Sequence, residues 1–178
     1  MVGATQQARP QQAPAQQAPA QQAQIIKAPT RPAIKFKTSL FLAGTTSRTA
    51  GPDWRPALTQ ALGALPVTIF NPLRPDWDST WREEVTFAPF REQVEWELHM
   101  QEQASFIVVY FGPSTEAPIS LLELGLCARS RKVLVVCHAG YKKRGNVQIV
   151  CRRFGIQCMD AGENWMPVVV AKVKGLLR

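Results

Sequence analysis

The run Ser105-Phe106-Ile107-Val108-Val109-Tyr110-Phe111 is apolar at nearly every position, so it reads as a strand buried on both faces, the signature of a parallel sheet covered by helices. The residues after it support that reading. Gly112-Pro113-Ser114-Thr115 turns the chain, and Pro118 stands near the first turn of a helix. That helix, Pro118-Ile119-Ser120-Leu121-Leu122-Glu123-Leu124-Gly125-Leu126, places one carboxylate about a turn inside an otherwise apolar segment. Ligands of open parallel sheets bind in the crevice at the carboxyl ends of the strands, so Glu123 is placed to face a substrate. A second reading fits the periodicity equally well: Glu116, Ser120, Glu123, Cys127 and Ser130 form one polar stripe, the solvated face of an amphipathic helix.

From Thr38 onward strand-like and helix-like segments alternate. Strands are expected at 39–43, 67–70, 105–111 and 132–137, with a short fifth near Ile156, and helices at 53–62, with Asp53 as N-cap, 89–103, from Pro118, 146–153 and 165–177. The expected fold is a single-domain, flavodoxin-like or Rossmann-like three-layer α/β sandwich around a central, mostly parallel five-stranded sheet. The first 37 residues are a different material, with nine Gln in the first 24 positions, Gln-Gln-Ala-Pro units and no acid. They are expected to be a disordered tail, because they bring too little apolar surface to offset chain entropy. The domain is therefore expected to span 38–178.

Charge divides at the same boundary. The tail holds five basic residues, leaving 16 basic against 13 acidic, or +3, for the rest. So small an excess, with Phe36 the one aromatic residue among the tail's charges, disfavours nucleic acid as a partner. With no signal-peptide core and no apolar run of membrane-spanning length, a cytoplasmic protein off the membrane is expected. Cys127, Cys137, Cys151 and Cys158 lack CxxC spacing and read as reduced apolar residues. Neither GxGxxG nor GxxxxGK[ST] is present, which disfavours dinucleotide and ATP chemistry, and two histidines without HExxH spacing leave no expected metal site. No cofactor is expected.

Five pieces in order, Phe41-Leu42-Ala43-Gly44, Asn71 to Trp81, Phe90-Arg91-Glu92-Gln93-Val94-Glu95-Trp96-Glu97, Pro118 to Gly125 and Gly145-Asn146-Val147, together resemble the nucleoside 2-deoxyribosyltransferase-like proteins over roughly Ser39 to Phe154. The resemblance implies a glutamate nucleophile that attacks the anomeric carbon of a nucleoside, expels the base and forms a glycosyl-enzyme, which water or a second base resolves. It assigns the nucleophile to Glu123 and the carboxylate serving the leaving base to Glu97, with Glu95 in reserve. Substrate contacts are implied at Gly44, Thr45, Asn71, Asp76, Asp78, Ser120 and Asn146. Two departures accompany the match: the family's first-strand tyrosine corresponds to Phe41, and its Asp six residues before the nucleophile corresponds to Ala117.

The chemistry is coherent by itself, since an oxocarbenium-like transition state needs a carboxylate on one face of the sugar and a proton source at the leaving group. In the segment Asp76-Trp77-Asp78-Ser79-Thr80-Trp81, indoles stack on bases and carboxylates accept from exocyclic amines, although Asp-based turns in a surface loop explain the same residues. Lys142-Lys143-Arg144-Gly145-Asn146 precedes a predicted helix, where an anion such as a 5′-phosphate is favoured, or it is a basic surface cap. In the family the equivalent loop reaches a neighbouring subunit, so Asn146 is expected to act in a homo-oligomer. The alternative to an enzyme is a nucleotide-sensing module of the same fold.

Overall fold

Apolar runs separated by helical segments can bury both strand faces only if helices lie on each side of a sheet, and the computed structural model, which describes residues 22–46 and 52–178, has that architecture. Strands β1 Gln24–Lys27, β2 Ser39–Gly44, β3 Thr68–Asn71, β4 Phe106–Phe111, β5 Val133–Cys137 and β6 Gln157–Asp160 form one sheet in the order β1-β3-β2-β4-β5-β6. Every neighbouring pair is parallel. Helices α1 Arg55–Leu62, α2 Ala88–Gln103, α3 Pro118–Cys127, α4 Arg144–Phe154 and α5 Met166–Leu176 complete a single flavodoxin-like α/β domain.

Alternation along the strands divides the core in two. Leu40, Leu42, Val108, Leu134 and Val136 meet Leu58 and Leu62 of α1 and Val169 and Val173 of α5. Phe41, Ala43, Ile107, Val109 and Val135 meet Trp96 and Met100 of α2, Leu124 of α3 and Val147 and Cys151 of α4. Glu97 and Glu123 both ride on helices of this second layer.

The sheet has six strands, not the expected five, and the additional one lies where a tail was expected. Gln24–Lys27 pairs with Thr68–Asn71, burying Ile26 and Ala28 in the core, and the Trp96 indole N–H donates to the Thr30 carbonyl at 2.8 Å. The domain therefore includes residues well before Thr38. The tail expectation for residues 1–21 lies outside the described residues. Asp53 is also corrected: Trp54 occupies the N-cap of α1, while the Asp53 carboxylate accepts the backbone N–H of Arg55, two residues on.

β2 lies between β3 and β4, so successive crossovers leave it in opposite directions and open a crevice at its carboxyl end. Backbone stitches close the two loops there onto each other. The Thr45 N–H donates to the Tyr110 carbonyl at 2.8 Å, and the Gly112 N–H donates to the Thr45 hydroxyl at 3.1 Å. Gly44 permits this approach: its φ is +124°, and a Cβ would stand 2.2 Å from the Tyr110 carbonyl oxygen. No helix among the described residues is long and apolar enough to cross a membrane.

Candidate active site

Residues 93, 97 and 101 fall four apart on α2, so helical geometry stacks Gln93, Glu97 and Gln101 on one face. That polar row sits beside Trp96 and Met100, which enter the core. Opposite it, α3 presents Glu123, which is 9% exposed. The Gln101 amide N–H donates to Glu123 Oε1 at 2.6 Å, and the Gln93 amide N–H donates to Glu97 Oε1 at 2.8 Å. Each carboxyl is thus held by a glutamine of α2.

A third element contributes charge. Arg55 opens α1, is 1% exposed, and donates to the carbonyls of Leu42 at 3.2 Å, Thr45 at 3.2 Å and Gly44 at 2.7 Å. Asp53 pairs with it at 3.1 Å, and its guanidinium lies over the Trp54 ring. Burial lowers the pKa of Arg55, while Asp53, Glu123 and Glu97 oppose that shift.

The two carboxyls feel the same environment. Burial, and after it the neighbouring Glu97 charge, raise Glu123 to about 8 against the lowering effects of Arg55 and the Gln101 amide. Burial also raises Glu97, opposed by the Gln93 amide and Arg55. Desolvation of the charged form is therefore the dominant effect on both. Two helices that bring such carboxyls together have the apparatus for nucleophilic attack and for proton transfer.

A family description, nucleoside 2-deoxyribosyltransferase like, matches residues 37–141, more than half of the chain. The chain belongs to that family. Compared with the curated proteins, it matches none. Membership of the nucleoside 2-deoxyribosyltransferase-like family supports a role related to glycosyl transfer on nucleosides, and the matched span contains both carboxyls. Asn146 lies beyond it.

Within this family member the expected site residues divide. Glu95 is on the outer face of α2, where its side chain is 64% exposed and pairs with Arg91 at 3.7 Å; Glu92 and Glu102 are exposed as well. Of the acids on α2, only Glu97 is withdrawn from solvent. Ser120 is buried one turn before Glu123. Gly44, Thr45 and Asn71 stand at the carboxyl ends of β2 and β3, and the Asn71 side-chain oxygen accepts the Leu73 N–H at 3.0 Å.

Asp76 and Asp78 are exposed and held within their own loop. Asp76 accepts from Arg74 at 2.9 Å, and Asp78 accepts the Thr80 backbone N–H and hydroxyl, each at 2.8 Å. Both therefore have pKa values lowered by those donors. Trp77, Trp81 and Phe87 cluster in the same loop, and Arg74 ties it to α2 through Glu92 at 2.9 Å. Asn146 is exposed on α4, while two of the three basic residues before it are engaged, Lys142 with Glu116 and Arg144 with Asp160.

The two family departures have structural consequences. Phe41 is fully buried against Trp96, their ring centroids 6.2 Å apart. Ala117 is the N-cap of α3, in the left-handed region at φ 43°. Sequence reasoning missed Gln93, Gln101 and Arg55. The i, i+4, i+8 spacing of the two glutamines around Glu97 was a usable signal, whereas no local pattern marks Arg55.

Proposed function

We propose that this protein cleaves or exchanges the N-glycosidic bond of a (deoxy)nucleoside or its 5′-monophosphate, with Glu123 as nucleophile and Glu97 as acid and base at the leaving base. The observation that supports this best is the pairing of two glutamine-held carboxyls, Glu123 buried and Glu97 half-buried, on facing helices of a family member. In the first half-reaction the Glu123 carboxylate attacks C1′. The C1′–N bond breaks with its electron pair passing to the base, which takes the proton from Glu97. Water or an acceptor base then attacks C1′, gives a proton to Glu97, and the ester bond to Glu123 breaks.

Glu123, at about 8, holds its proton at neutral pH before substrate arrives. The reaction requires that proton on Glu97. A sugar hydroxyl donating to Glu123 adds to the Gln101 amide and the Arg55 charge in favouring its ionised form, and so shifts the proton toward Glu97. Ser120 holds the sugar beside Glu123, and Gly44, Thr45 and Asn71 line the crevice. Asp76 and Asp78 act by shaping the Trp77 and Trp81 loop against which the base stacks. We also assign a homo-oligomer, supported by Ile119, Leu122 and Leu126, which run along the outside of α3 at 58 to 60% exposed, with Asn146 reaching toward a neighbouring copy. A cytoplasmic setting fits nucleoside chemistry.

Chromatography of free base after incubation with deoxy- and ribonucleosides and their monophosphates, with and without an acceptor base, tests the reading. Base release is expected, abolished in Glu123→Ala and reduced on the order of 10²–10⁴-fold in Glu97→Gln. Unchanged release in Glu123→Ala, or no release across the panel by folded protein, overturns it.

A further inference from the structure

Gln101 is joined to a third group. Its Oε1 accepts the Cys127 thiol at 3.3 Å, while its Nε2 donates to Glu123 at 2.6 Å. Its backbone carbonyl accepts Lys132 Nζ at 2.7 Å, and the same ammonium holds the carbonyls of Glu102 and Ala104. The residue is thus fixed at both ends near the close of α2. It is 4% exposed.

We propose that Cys127 and Gln101 form a relay in which the thiol orients the amide and the amide positions the Glu123 carboxylate for attack. The inference rests on the assignment of Glu123 as nucleophile. An amide has one end that only accepts and one that only donates. With the S–H directed at Oε1, the N–H₂ end must face Glu123, where it supports an ionised carboxylate. A flipped amide sets its oxygen 2.6 Å from a carboxyl oxygen, a contact tolerable only if Glu123 is protonated. The thiol therefore selects the amide orientation that the nucleophile requires.

Burial favours this arrangement. The Cys127 thiol is raised by desolvation and by Glu123, with Lys132 acting against both, so it remains an S–H donor at neutral pH. The groups whose charge reaches Glu123 are Glu97 from α2 and Arg55 from α1, and the α2 amide is the direct hydrogen-bond donor to it. Phe41 has no hydroxyl to offer where the family's first strand carries a tyrosine. Gln101 is thus the positioning residue for Glu123.

The test combines kinetics with direct titration. In Gln101→Leu, kcat is expected to fall on the order of 10²-fold with KM little changed, and the acid limb of the kcat/KM profile to move up by about one pH unit. Carbon-detected NMR titration of the Glu123 carboxyl should show the same upward move. Cys127→Ala should shift both readouts in that direction by less, and Cys127→Ser, which keeps a donor, should restore them. Thermal melts establish that each variant is folded. A Glu123 titration unmoved in Gln101→Leu, or equal behaviour of Cys127→Ala and Cys127→Ser, overturns the relay. Because the NMR titration needs no turnover, a wild-type protein without base release removes the functional reading alone.

Discussion

Glu123 and Glu97 enter one protein interior from two helices, and the electrostatic cost falls on the charged form of each. Glu123 at about 8 keeps its proton in the fold after an unfolded chain, near 4.3, has lost it. By linkage the carboxyl's contribution to stability is complete below the unfolded value, declines as pH rises through that window and is gone above the folded value. Glu123→Gln removes the titration while keeping the shape. Its Tm should match wild type near pH 4 and exceed it by about 4 °C or more at pH 8.5, as differential scanning calorimetry at a series of pH values would show. An offset that does not change with pH contradicts the burial of this carboxyl. Sequence made Glu123 legible because a lone acid in an apolar helix is conspicuous. It left Glu97 and Glu95 unresolved, since they differ only in which side of α2 they occupy, a matter of how the helix is rotated on the sheet. Arg55 was illegible because its importance comes from three carbonyls of another element.

At the scale of elements, β1 shows what composition conceals. Gln24-Ile25-Ile26-Lys27 is embedded in Gln, Ala and Pro, and its only strand signal is the Ile25-Ile26 pair. Pairing with β3 supplies the rest: Ile26 and Ala28 become buried, and Thr30 satisfies the Trp96 indole. Burial of one isoleucine is worth about 1.5–3 kcal/mol, and the indole hydrogen bond about 1 kcal/mol. Against a typical total of roughly 5–15 kcal/mol, loss of the strand is severe. Deleting residues 1–37 should therefore lower Tm by about 6 °C or more, whereas deleting residues 1–21 should leave both Tm and base release within error of the full chain. Equal melting of the two truncations contradicts a structural role for β1.

Across the whole molecule, the parallel sheet and its two helical layers followed from apolar runs alternating with helical segments, whereas the crevice between β2 and β4 depends on a strand order that those runs do not specify. Those runs had no other way to bury both faces. The candidate site stood out in sequence at Glu123, where local pattern and family resemblance converged, whereas Glu97 came from the resemblance alone. The loop carboxylates Asp76 and Asp78 fit ligand contact and Asp-based turns alike in sequence, and the structure holds them to Arg74 and Thr80, each two residues away. The assembled account is of a nucleoside 2-deoxyribosyltransferase-like fold whose α2 glutamines hold two neighbouring carboxyls, Glu123 buried and Glu97 half-buried. Its central claim is that Glu123 becomes bonded to the sugar. Acid quenching during turnover of the best nucleoside from the panel, followed by intact mass and peptide mapping, tests this directly. The account predicts a glycosyl adduct on the peptide that carries Glu123, absent from Glu123→Ala. An adduct on another residue, or turnover at full rate with every peptide unmodified, would contradict it.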